Sequence, residues 1–109
     1  MANAFKNARK ALVTSAGAAV YTCPASTTAI VLLAQVANVD GTNTAQATVT
    51  WWDDSAEVST SLCFTTDIPP DTAMSVIAGK LVLEAGDAIF GVASADSDLV
   101  MSVSVLEIS

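Results

Sequence analysis

Cys23 and Cys63 are the most reactive side chains in this 109-residue sequence, and no histidine accompanies them. The absence of histidine removes His-based catalytic triads and the usual general base near neutral pH. Two thiolates alone supply half of a tetrahedral zinc set. The pair could bridge two strands in an oxidising compartment; as separate, half-buried thiols they act as small hydrophobes. Asp40, Asp53, Asp54, Asp67, Asp71, Asp87, Asp96 and Asp98 fall at expected strand ends. Loop oxygens of this kind can hold calcium, but no stretch has EF-hand spacing, and aspartate is an ordinary turn residue. The five glycines are dispersed, and neither G-x-x-x-x-G-K nor G-x-S-x-G occurs. These residues assign no nucleophile with a base and no carboxylate pair. The expectation is a non-enzyme with no catalytic, metal or cofactor-binding residues and no cofactor.

Aromatic and charged residues point to contacts instead. Trp51 and Trp52 are adjacent, so in a strand they face opposite ways. The phase of the strand puts Trp51 on the apolar face and Trp52 on the polar one. Trp52 then lies under a loop of its own chain, anchors a subunit interface or stacks on a sugar. Four Lys and Arg stand against eleven Asp and Glu, for a formal charge of −7. Lys6, Arg9 and Lys10 are three of the four cations, and the first ten residues hold no acid. A short basic arm, residues 1–12, is thus expected to precede an acidic domain, residues 13–109. The arm is either a frayed terminus or a segment docking on an acidic surface through Phe5, Lys6, Arg9 and Lys10. An acidic chain without a basic stripe is not expected to bind nucleic acid.

The elements that position these residues read as strands. Ala45, Ala47, Val49 and Trp51 alternate with Gln46, Thr48 and Thr50, the period-2 pattern of a half-buried antiparallel strand. Val58, Thr60, Leu62 and Phe64 are expected to share an apolar face in the same way. Leu81 with Leu83, and Leu99 with Met101, Val103 and Val105, continue the pattern. Leu106 and Ile108 are out of phase, which predicts a bulge near Val105 or burial on both faces. Residues 28–36 are almost wholly apolar, and their β-branched content favours a central strand. Residues 20–23 and 89–93 complete the set, with Gly91 as a bulge or close-contact point. Asp40-Gly41, residues 84–87 and residues 95–98 supply turns, and Pro69-Pro70 stops a strand near Thr66. In the first ten residues Ala4, Phe5, Ala8 and Ala11 could share a helical face. The fold expected is all-β: one β-sandwich or jelly-roll-like domain of seven or eight antiparallel strands.

Apolar residues make up 52% of the chain and charged residues 14%. The longest uninterrupted apolar stretch, Ala29 to Ala34, is far short of the ~20 residues of a spanning helix, and no secretory leader is read in the opening residues. No membrane contact is expected. A folded monomer of this size exposes roughly 5,600 Å², which so few charges cover poorly. Large apolar patches mark contact sites. The chain is therefore expected to be a subunit that associates with copies of itself.

The segments MANAFKNA, VYTCPASTTAIVL, QVANVDGT, GKLVLEAGDAIFGVASADSDL and SVSVLEIS together resemble small virion structural proteins of tailed bacteriophages. The resemblance covers nearly the whole chain, and no site motif comes with it. It implies a virion protein assembled in the bacterial cytoplasm. In that setting the chain is expected to be a homotrimeric capsid decoration, or cement, protein bound across the major capsid protein. Tail, neck or fibre-base placement and a host-glycan-binding module are the alternatives. The interface residues expected are Phe5, Lys6, Arg9, Lys10 and Trp52.

Overall fold

The computed structural model describes residues 3–15 and 17–109. Their regular structure is nine strands: β1 Asn3–Ala11, β2 Tyr21–Thr22, β3 Thr28–Asn38, β4 Ala45–Asp53, β5 Val58–Ile68, β6 Ala73–Ser75, β7 Leu81–Leu83, β8 Ala88–Ala93 and β9 Leu99–Ile108. Every pairing is antiparallel. One sheet has five strands, ordered β1, β9, β3, β6, with β7 also paired to β3. The other has four, ordered β2, β8, β4, β5. The two pack as a β-sandwich, the all-β fold that the alternation predicts.

Alternation builds the core. Ala29, Val31, Ala34 and Val36 of β3 point inward beside Met101, Val103 and Val105 of β9. Ala45, Ala47 and Val49 of β4 and Ile89 of β8 meet them from the other sheet. A fully buried Val, Leu or Ile contributes about 1.5–3 kcal/mol, so this interior is the main source of stability. The many small side chains let the sheets approach closely. A Cβ at Gly91 would lie 2.8 Å from Leu12 Cδ2 and 3.4 Å from Met101 Sδ, which makes Gly91 a close-contact point.

The first residues form a strand, not a helix. β1 pairs with β9 from Asn3 opposite Ile108 to Ala11 opposite Val100. Ala4, Ala8 and Leu12 are spaced by four, and a helix and a strand both put such residues on one face. Sheet pairing decides between them. The segment expected as an arm is thus the edge of the five-stranded sheet, and the fully buried Leu12 follows directly in the core. Met1 and Ala2, the first two residues of that expected arm, lie outside the described residues.

Two phase expectations also change. β9 pairs without a break, and the irregularity lies in its partner β3, between Val31 and Leu33. There the bulge turns both Leu32 and Leu33 outward while Ala29, Val31, Ala34 and Val36 all stay in the core. In β5, register shifts against β4 and a positive φ at Thr65 (44°) break the expected apolar face. Leu62 and Cys63 both pack on the core, whereas Val58 and Phe64 are exposed. A bulge places two residues opposite one and shifts the phase beyond it.

Candidate interaction surface

The solvent face of the five-stranded sheet carries an apolar row made by register. Phe5 of β1 stands opposite Leu106 of β9. Leu106 stands opposite Ile30 of β3, and Ile30 opposite Val82 of β7. Residues directly opposite share a face, so these four form one line across four strands. Phe5 is 77% exposed and Val82 55%. One step along β1, Asn7, Arg9, Ser102 and Ser104 line a shallow hollow of about 380 Å³, with Ser104 Oγ donating to Asn7 Oδ1 at 2.8 Å.

The solvent face of the four-stranded sheet carries a second feature. Trp52 of β4 stands opposite Ala88 of β8 and Ser59 of β5. With Thr50, Ser59 and Phe90 it lines a hollow of about 320 Å³. Its Nε1 donates to Asp54 Oδ1 at 3.0 Å, which fixes the indole beside the β4–β5 turn. That turn holds Asp54 and Glu57 and follows Asp53 at the end of β4. Trp51 packs against the core, as the strand phase predicts. Phe64, 70% exposed, lies further along β5.

Charge divides between the sheets. Lys6, Arg9 and Lys10 lie on β1, and Lys80 directly precedes β7, so all four cations border the five-stranded sheet. The strands of the four-stranded sheet contain no Lys or Arg. Lys6 and Lys10 stand opposite the buried Val105 and Met101, on the core side of an edge strand. Lys10 Nζ donates to the Ala18 carbonyl at 2.7 Å, and Lys6 and Arg9 are exposed. Inward-pointing charge at a sheet edge disfavours uncontrolled strand pairing. The five residues expected at an interface are thus divided: Phe5 and Arg9 lie on the outer face of β1, Lys6 and Lys10 on its core side, and Trp52 on the opposite sheet. Sequence reasoning missed Phe90, and it missed the row formed by Leu106, Ile30 and Val82. Periodicity puts each of these on an outer face, but only cross-strand register brings them together.

The reactive groups are occupied in holding turns and strands. Asp53, Glu84 and Asp87 each bring a carboxylate oxygen within 4.8 Å of the others, the one place among the described residues where three acids could share a cation. Asp87 is buried, and its two oxygens accept from the Asp54 amide at 3.0 Å and the Glu84 amide at 2.9 Å. Burial pushes the Cys23 thiol up, away from the nucleophilic thiolate, and Cys23 Sγ lies 3.3 Å from the Thr27 carbonyl oxygen. Cys23 and Cys63 are both free thiols. Burial, then the hydrogen bond it donates to Glu107 at 2.6 Å, push the Tyr21 phenol well above its ordinary value. That bond ties β2 of one sheet to the end of β9 in the other. The Asn43 side chain and then the Thr42 amide hold the Asp40 carboxyl below the usual range.

No protein-family model and no curated protein matches the sequence. A solved chain from the Bacillus endospore appendages, a family of disulfide-linked pili, is similar in fold. The match has a TM-score of 0.57 at 11% identity and covers 99% of this chain and 87% of that one. It shows a shared β-sandwich fold. It also overturns the expectation of a phage capsid decoration protein, because the structure sharing the fold belongs to a bacterial appendage. The blocks behind the phage resemblance serve local geometry. In N-V-D-G-T, Asn38 Oδ1 accepts from the Asp40 amide and Asp40 Oδ1 from the Thr42 amide. In L-E-A-G-D, Asp87 closes its own turn. Turn chemistry of this kind suits many sandwiches and does not identify a particle.

Proposed function

We propose that the chain is a non-catalytic structural subunit that associates with copies of itself into an extended, appendage-like assembly. The observation that carries this reading is the apolar row of Phe5, Leu106, Ile30 and Val82, which crosses four strands on the solvent face of the five-stranded sheet. Such a surface is costly to leave in water and is characteristic of a contact site. The likeness to a pilus protein supports an extended form over a closed trimer. The pili of that family are disulfide-linked, but here Cys23 is buried and Cys63 packs on the core. The apolar row supplies a contact that needs no disulfide, so association is expected to be non-covalent.

Sedimentation velocity over a concentration series, with and without a thiol reductant, tests the reading. The expected result is a mass distribution that grows with concentration and ignores the reductant. A species that stays monomeric over the whole series would overturn the proposal. A fixed trimer would overturn its extended form.

A further inference from the structure

The self-association proposed above leaves open which surfaces meet. We infer that the joint is a stack of unlike sheets. The solvent face of the five-stranded sheet of one copy lies on the solvent face of the four-stranded sheet of the next, and Phe5 enters the neighbour's hollow between Trp52 and Phe90. This inference rests on that reading and names the partner surface as a second copy of the chain.

Three observations select this pairing. Among the described residues Phe5 is the most exposed large apolar side chain, at 77%, and it stands on the outer face of an edge strand. The hollow of about 320 Å³ at Thr50, Trp52, Ser59 and Phe90 offers it an aromatic seat; offset or edge-to-face aromatic contacts are favourable beyond their buried area. Charge then fixes which sheet meets which. Arg9, on the outer face of β1, and Lys80, directly before β7, are exposed at the five-stranded sheet, while Asp54 and Glu57 are exposed at the turn beside the hollow. Stacking like on like would oppose cations with cations or acids with acids, which is unfavourable. Stacking unlike sheets opposes cations with acids. Both faces are about four strands wide, near 4.8 Å per strand, so they match in extent.

A contact between two different surfaces leaves one free surface at each end of an open chain of copies, so it propagates unless the rotation from copy to copy closes a ring. Geometry of this kind gives the extended assembly without a further contact. The experiment uses two variants at exposed positions, Phe5→Asp, which removes the knob, and Ser59→Arg, which fills the hollow. Circular dichroism and thermal unfolding verify that each keeps its fold.

Each variant alone is expected to be monomeric where the wild type assembles. An equimolar mixture is expected to form one-to-one dimers that do not extend, because Ser59→Arg keeps Phe5 and Phe5→Asp keeps the hollow. Wild-type-like assembly by either variant overturns this joint while the self-association reading stands. A mixture that stays monomeric, or one that extends beyond dimers, also overturns the joint. A monomeric wild type overturns both.

Discussion

At the scale of single residues, fit between the sheets and one hydrogen bond across them govern stability. Gly91 has no space for a side chain because Leu12 and Met101 fill it from the facing sheet. Gly91→Ala is expected to cost about 1–3 kcal/mol by overpacking, measured by urea unfolding. The cost should shrink in a Leu12→Ala background, since the clashing atoms are gone and contacting sites are coupled. Tyr21 supplies the second case. Its hydrogen bond to Glu107 spans the sheets, and Tyr21→Phe is expected to cost about 1 kcal/mol at neutral pH. A pH series isolates the same group. The folded protein holds the phenolic proton above the ordinary value of 10.0, while the unfolded chain releases it there. Stability from this source is therefore complete below about pH 10 and falls as pH rises further. The difference in unfolding free energy between wild type and Tyr21→Phe should be flat up to that point and then shrink. A difference that stays flat into alkali would remove Glu107 and burial as the cause.

At the scale of elements, the sequence makes some strands plain and conceals others. β4, β7 and the first part of β9 alternate cleanly, and their inward residues are those that periodicity selects. β3 reads as a central strand from its apolar run, but that run conceals the bulge beside Leu32, because apolar residues on both faces leave no phase to read. β1 is ambiguous because a spacing of four suits both helix and strand, and its pairing with β9 joins opposite ends of the chain. β6 is three residues long and lies past Pro69-Pro70, too short to show a period. β5 alternates on paper, yet its bulges turn Phe64 into solvent, and bulges are set by the partner strand. The same limit applies to the contact surface. The exposure of Phe5 and Trp52 follows from residue type and phase. The line from Phe5 to Val82 needs the register of four strands, which no local pattern contains.

At the scale of the whole molecule, two electrostatic effects oppose each other during association. Each copy carries a formal charge of −7, so copies repel over molecular dimensions of 47 × 26 × 22 Å. The proposed joint sets Arg9 and Lys80 towards Asp54 and Glu57, an attraction that acts at short range. Salt screens the distant repulsion first, since the Debye length is already about 10 Å at 0.1 M. It shortens to about 3 Å at 1 M, where the contact charges are screened as well. Assembly is therefore expected to strengthen from very low ionic strength to about 0.1 M and to weaken towards about 1 M. Light scattering at fixed protein concentration reads this directly. The variant Arg9→Gln separates the two effects, because it makes the net charge more negative while removing a contact cation. It should assemble less than the wild type at low and moderate ionic strength, decline less towards high salt and converge with the wild type at about 1 M, where contact charges are screened. A wild type whose assembly only rises with salt would show that the apolar row works alone and that the division of charge between the sheets has no part in the joint.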